Sequence, residues 1–180
     1  MTFDLRDRNT LFASLPKGGI GVEVGVDNGE FSAVILRFSL PNLLYLVDCW
    51  EHQPEAVCGS DPGNQPQPIK DDLYQKVLEK FLLHPAVRIV KAYSVSAALT
   101  FPDEYFDWVF LDANHLRCAE DIVAWWPKIK RGGYLMGHDY CTLGDFIRVK
   151  TDVDEFVSAT NLPLLVTEDP IYKCWIVRKP

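Results

Sequence analysis

Four absences narrow the reading of this 180-residue chain. No strand-to-helix junction carries G-x-G-x-x-G, so the glycine fingerprint of a dinucleotide site is missing. No C-x-x-C pair occurs among the five cysteines, at 49, 58, 118, 141 and 174, and an odd, scattered set points to reduced thiols rather than disulfides. Basic residues are outnumbered, 18 against 25 acidic ones, for a formal net charge of −7, and no basic stripe is present to neutralise a phosphate backbone, which argues against a nucleic-acid partner. Long apolar runs are lacking too, and Asp4, Arg6, Asp7 and Arg8 stand where a secretory signal needs an apolar stretch. Neither a membrane span nor export is therefore expected, and a cytoplasmic location follows.

What is present is ordinary globular composition, 48% hydrophobic and 24% charged, in a length that suits one domain over residues 1–180. The chain is organised around Gly19 to Ser32. Ile20, Val22 and Val24 are β-branched residues at strand spacing, whereas Phe31, Val34, Ile35 and Phe38 fall at helical spacing, and the period changes within the loop Gly25 to Gly29. A strand feeding a helix through such a loop presents backbone N–H groups at the carboxyl edge of a sheet, where nucleotide-like ligands bind. Glu23-x-Gly25-x-x-x-Gly29 resembles motif I of class I S-adenosylmethionine methyltransferases. The resemblance implies that Glu23 lies near the cationic methionine end of that cofactor and that the loop residues Gly25, Val26, Asn28 and Gly29 line its site.

Residues 2–16 read as an N-terminal helix with Leu5, Leu11, Phe12 and Leu15 inward and Pro16 ending it. The second strand, Leu43 to Val47, runs into Asp48 and Cys49, and Asp48 stands 23 positions after Gly25. An acid there suits ribose hydroxyls, because a carboxylate accepts two such bonds at once. From Glu51 to Pro68 the chain carries Pro54, Pro62, Pro66 and Pro68 and two glycines without periodicity. This long loop leaves from the cofactor edge and reads as a lid or substrate-binding segment. Helix 69–83 and strand Val87 to Val90 follow, and then Ser94, an expected N-cap. By the methyltransferase resemblance, Tyr93 and Ser94 contact adenine.

The strand Phe106 to Leu111 ends on Asp112, with Ala113, Asn114 and His115 behind it. Leu116, Ala119, Val123 and Trp126 are the expected inward face of the next helix, and Arg131 to Gly133 the turn into the strand Tyr134 to Gly137, which ends in His138-Asp139-Tyr140. Strands alternating with helices imply a parallel sheet with right-handed crossovers, so all these strand ends share one edge. Asp112, His138 and Asp139 can then converge on one divalent cation, magnesium or manganese among the choices, which would activate a hydroxyl. Leu162 to Val166 and Ile171 to Val177 suggest a closing hairpin across Thr167 to Pro170. The expected fold class is α/β: a Rossmann-like doubly wound sheet of seven strands, the last antiparallel, with helices on both faces.

Residues Phe106 to His115 and Trp125 to Tyr140 resemble the class I methyltransferases related to macrocin-type sugar O-methyltransferases, and the resemblance runs from about Gly18 to Phe156. It implies O-methylation of a small polar substrate from S-adenosylmethionine, an Mg2+ or Mn2+ ion on Asp112 and Asp139, and a general base at His115, for which a modest pKa shift suffices. His138 departs from the group's acidic pair. The lack of a separate cap region leaves room for a second subunit of a homo-oligomer at the substrate pocket. An NAD(P)-dependent oxidoreductase and a non-catalytic nucleotide-binding module stay open as alternatives.

Overall fold

A computed structural model describes residues 2–170 and 172–180. At its centre lies a seven-stranded sheet of order β3-β2-β1-β4-β5-β7-β6. The strands are β1 (Ile20–Val24), β2 (Leu43–Asp48), β3 (Val87–Lys91), β4 (Phe106–Leu111), β5 (Ile129–Gly137), β6 (Leu164–Val166) and β7 (Trp175–Arg178). The first five pair in parallel, and β7 inserts antiparallel between β5 and β6, so the expected fold class is the one observed. No helix among the described residues is long and apolar enough to cross a membrane.

The helices are α1 (Arg8–Ala13), α2 (Glu30–Ser39), α3 (Glu55–Cys58), α4 (Gln67–Phe81), α5 (Ser94–Ala98), α6 (Cys118–Trp125) and α7 (Val149–Thr160). Strand alternation feeds two cores. Val22, Val24, Val109 and Leu111 face α5, α6 and α7 on one side, while Leu44, Leu46, Trp108 and Phe110 face α1, α2 and α4 on the other. Gly21 is required here, since a Cβ on it would stand 2.0 Å from the Trp108 indole.

Several elements differ from their sequence expectation for definite reasons. Helix α1 starts only at Arg8, because Asp7 and Thr10 form a reciprocal capping box. Ser94 is not the N-cap of α5. Tyr93 holds that position without a side-chain bond, and Ser94 Oγ instead accepts from Trp125 Nε1 at 2.9 Å. The face of α6 is rotated, with Cys118, Asp121, Ile122 and Trp125 buried and Val123 74% exposed. The two bulkiest side chains of the buried set, Ile122 and Trp125, set that phase.

Strand β5 begins at Ile129, and the expected turn at Arg131 to Gly133 is a bulge, since Phe106 pairs with Ile129 but Trp108 with Tyr134. Segment 51–68 is not wholly irregular, as it contains α3 and the start of α4. The connection between β6 and β7 runs from Thr167 to Cys174 and is closed by Thr167 N–H donating to the Cys174 carbonyl at 2.9 Å. It is therefore longer than a tight turn. The expected strand start at Ile171 lies outside the described residues.

Candidate functional site

Three backbone bonds continue the parallel ladders past the strand ends. Gly25 N–H donates to the Val47 carbonyl (2.9 Å), Asp112 N–H to Val24 (2.7 Å) and His138 N–H to Leu111 (3.1 Å). They bring Gly25, Asp48, Asp112 and His138 side by side at the carboxyl edge of the sheet. A cavity of about 640 Å³ opens there, walled by Glu23, Gly25, Val26, Asn28, Asp48, Cys49, Ser94, Asp112 and His115. Gly29 is not in the wall. At φ 71° it packs under α4, where a Cβ would stand 2.7 Å from the Phe81 ring.

Glu23 is 1% exposed, and the Ser32 hydroxyl donates to its carboxylate. Burial pushes its pKa well above the usual carboxylate range, and the nearby Asp112 and Asp48 add to the rise. Gly25 has φ 94°, and a Cβ on it would stand 2.1 Å from the Asp112 carbonyl oxygen, so no other residue fits between β1 and β4. Asp48 has a structural task beside the expected ribose contact. Its carboxylate accepts from the N–H groups of Val26 (2.8 Å), Asp27 (3.0 Å) and Trp50 (2.8 Å), leaving about one of its roughly four lone-pair positions for a ligand. The fully buried Trp50 completes this corner by donating Nε1–H to the Asp27 carbonyl at 2.9 Å. Asp27 and Trp50 both take left-handed φ values, 52° and 46°, which the network holds in place.

The second half of the site is a charge cluster. Nδ1 of His138 lies 3.6 Å from Asp112 Oδ1 and 3.3 Å from Asp139 Oδ1. These three residues can each point one ligand atom at a common centre, the atoms all within 4.8 Å of one another. Ligand atoms on adjacent octahedral positions of a 2.1 Å shell stand about 3 Å apart, so the set fits a small divalent cation. His115 reaches the same two carboxylates, with Nε2 3.0 Å from the other Asp139 oxygen, Oδ2, and 3.4 Å from Asp112 Oδ1. Its Nδ1 meets Asp61 Oδ2 at 3.0 Å.

Burial works against protonation of both imidazoles, but the carboxylates outweigh it and raise His115 to about 12 and His138 to about 9. In turn, burial pushes Asp112, Asp139 and Asp61 up and the hydrogen bonds from the imidazoles more than reverse it, so all three end below the usual range. The carboxylates therefore hold His115 towards its charged form, more strongly than the modest shift expected from the sequence. Three carboxylates, those of Asp61, Asp112 and Asp139, converge on it.

The family profile described as "Methyltransferase domain" matches residues 22–140, which spans β1 to the end of the charge cluster. The chain belongs to this methyltransferase family. No curated protein matches the sequence. Among solved structures, an O-methyltransferase family protein from Burkholderia thailandensis superposes with TM-score 0.64 at 16% identity over 93% of this chain and 52% of its own. A precorrin-6y C5,15-methyltransferase from Geobacter metallireducens gives 0.66 at 14% over 95% and 85%. A candidate methyltransferase from Streptococcus mutans in complex with SAH gives 0.62 at 13% over 94% and 93%. At these identities the likeness is one of fold.

Some cavity-wall residues of this methyltransferase carry no sequence signal. Asp61 sits in the proline-rich segment, where nothing distinguishes it from Asp71 or Asp72, and only the folded loop brings it to His115. That segment is fastened over the site by Arg117 Nη2 donating to the Ala56 carbonyl (3.2 Å) and Ser60 Oγ to Asp145 Oδ1 (2.5 Å). Val57, Cys58, Asp61, Gly63 and Asn64 from it wall the cavity. Arg8 enters from α1 and Lys70 from α4.

Proposed function

We propose that this methyltransferase transfers a methyl group from S-adenosylmethionine to a hydroxyl of a small polar molecule, a sugar among the choices, with a divalent cation assisting. The observation that carries the reading is the adjacency of two devices. One is the cavity holding Glu23, the glycine loop and Asp48, and the other is the Asp112, His138 and Asp139 set beyond its Asp112 and His115 wall. A volume of about 640 Å³ lies within the range of small-ligand sites, ~300–1,000 Å³.

S-Adenosylmethionine bound there supplies an electrophilic methyl group on a sulfonium. Glu23 presents a carboxylate to the cationic amino-acid end, Gly25, Val26 and Asn28 line the approach, Asp48 offers its remaining lone pair to ribose, and Cys49 and Ser94 wall the nucleoside side. In the transfer the methyl C–S bond breaks, an O–C bond forms, and the acceptor proton leaves to a base. A cation held by Asp112, His138 and Asp139, Mg2+ or Mn2+, would supply charge that makes the acceptor hydroxyl more acidic. Asp112 and His115 are the proposed catalytic residues, facing the cavity where the acceptor must lie. His115 orients and balances the carboxylates while charged, and accepts a proton only when neutral. Segment 51–68 is the proposed lid, through Asp61. A nicotinamide oxidoreductase is not favoured, since the matched family is a methyltransferase family.

Calorimetric titration with S-adenosylhomocysteine and with NAD, each with and without Mg2+ or Mn2+, tests the reading. Binding of the homocysteine product without NAD binding is the expected result. NAD binding alone would overturn it.

A further inference from the structure

The matched family span begins at residue 22, yet the cavity wall includes Arg8 from α1. That helix is firmly placed. Its capping box fixes the start, and Leu11 and Phe12 are fully buried, with Phe12 edge-on to Phe31 of α2 at 5.4 Å between ring centres. As the first residue of α1, Arg8 lays its guanidinium over the Phe31 ring, 4.3 Å from the centroid, beside the glycine loop. No described residue offers it a hydrogen bond or an ion pair.

An unpaired guanidinium half-buried in the wall that also holds Glu23 presents a positive charge to a ligand beside a buried carboxyl that a cationic ligand group would help to ionise. Arg8 is the one cation whose charge registers among the main influences on Glu23. The amino-acid end of S-adenosylmethionine is a zwitterion with its ammonium and carboxylate on the same carbon, so whatever holds the carboxylate must stand near whatever holds the ammonium. The other wall cations fit less well. His115 is ringed by three carboxylates, and Arg117 is engaged by Glu120 and the Ala56 carbonyl. The charge of Lys70 acts on Asp27, Cys49, Cys58 and Asp61 instead, away from Glu23.

We propose that Arg8 binds the α-carboxylate of the cofactor's amino-acid end, which makes the N-terminal helix part of the cofactor site. The inference rests on the methyltransferase reading above. A guanidinium suits the task because its planar fork meets both carboxylate oxygens at once, and stacking on Phe31 holds it ready at small entropic cost.

The test compares S-adenosylhomocysteine with 5′-methylthioadenosine, which keeps adenine, ribose and thioether but lacks the amino-acid end. Calorimetry is run on the wild-type chain, Arg8→Ala, Arg8→Lys and Lys70→Ala. Arg8→Ala should weaken S-adenosylhomocysteine about 10- to 100-fold, the range of a lost charged hydrogen-bond pair, and leave 5′-methylthioadenosine unchanged. Arg8→Lys should recover part of the loss, and Lys70→Ala should not discriminate between the two ligands. Equal binding of S-adenosylhomocysteine by wild type and Arg8→Ala would overturn the assignment, and so would equal weakening of both ligands, which marks a packing role. Failure of the wild-type chain to bind either ligand would instead remove the cofactor reading itself.

Discussion

The two ends of the sheet use charge in opposite ways. At the amino edge, around Gly18 to Ile20 and the β5 bulge, each cation is matched to a nearby acceptor. Lys130 pairs with Asp107 at 2.9 Å, Arg131 with Glu104 at 3.4 Å, Arg178 donates to the Gly132 carbonyl and Lys17 to those of Ala13 and Phe38. Asp107 also accepts the Ile20 N–H at 2.7 Å. These bonds close loops. At the carboxyl edge, acids outnumber cations. Among the described residues Glu23 is buried with no ion-pair contact, two imidazoles are shared among three carboxylates, and the Arg8 guanidinium has no ion-pair contact either. Backbone strain does not follow this division, since Asp27, Trp50 and Asp139 take positive φ on the carboxyl edge while Leu40, Glu104 and Asn161 take it just before β2, β4 and β6 enter the sheet. Unbalanced charge at one edge marks where a ligand is to be bound, whereas matched charge at the other holds the fold.

The largest effect that would sharpen this contrast is on turnover. Asp139→Ala is expected to lower methyl transfer by about 10²- to 10⁴-fold while S-adenosylhomocysteine affinity stays at the wild-type value, as steady-state kinetics and calorimetry would show. Unchanged turnover would dissolve the distinction between the edges. Next comes Gly25→Ala, whose Cβ meets the Asp112 carbonyl at 2.1 Å. It should cost about 3 kcal/mol or more in chemical denaturation and abolish cofactor binding.

A smaller effect concerns pH. His138, raised to about 9 from its ordinary 6.5, contributes stability that is complete below about pH 6.5 and lost as pH rises through about 9. The lowered Asp61 and Asp112 contribute stability present above the ordinary carboxylate value and lost in acid. Thermal stability should therefore fall between pH 7 and 10, by at least roughly 1–3 kcal/mol, and His138→Asn should lessen that fall, the remainder belonging to His115, which is raised further. A variant with the same decline would show that other groups cause it. Smallest of all, Lys130→Ala removes a half-exposed pair and should cost no more than about 1 kcal/mol, with turnover intact. A loss of turnover there would make the amino edge functional after all.

Most strands were legible because β-branched and aromatic runs ending in an acid leave a local signature, as in Leu43 to Asp48 and Phe106 to Asp112. Errors arose where the deciding contact lay elsewhere in the chain. The phase of α6 depends on Trp125 reaching Ser94, and the shape of 51–68 on Arg117 and Asp145. The place of Glu23, Gly25 and Asp48 at one edge was readable through their spacing, but the part Asp48 plays in tying three N–H groups was not. How strongly His115 is held in its charged form was not legible, because Asp61 and Asp139 approach it from other elements.

Taken alone, the sequence determined the order of elements, the parallel sheet and the edge at which the acids collect, because periodicity and strand-end residues are local properties, while the methyltransferase character came from the likeness of its motifs to that family. Which carboxylates surround which imidazole, which cation is left without a partner, and how α1 reaches the cavity were decided only by the tertiary structure. Electrostatic interactions depend on distance in space, and groups such as Asp61 and His115, 54 residues apart along the chain, acquire theirs only when the sheet, the helices and the loop are packed together.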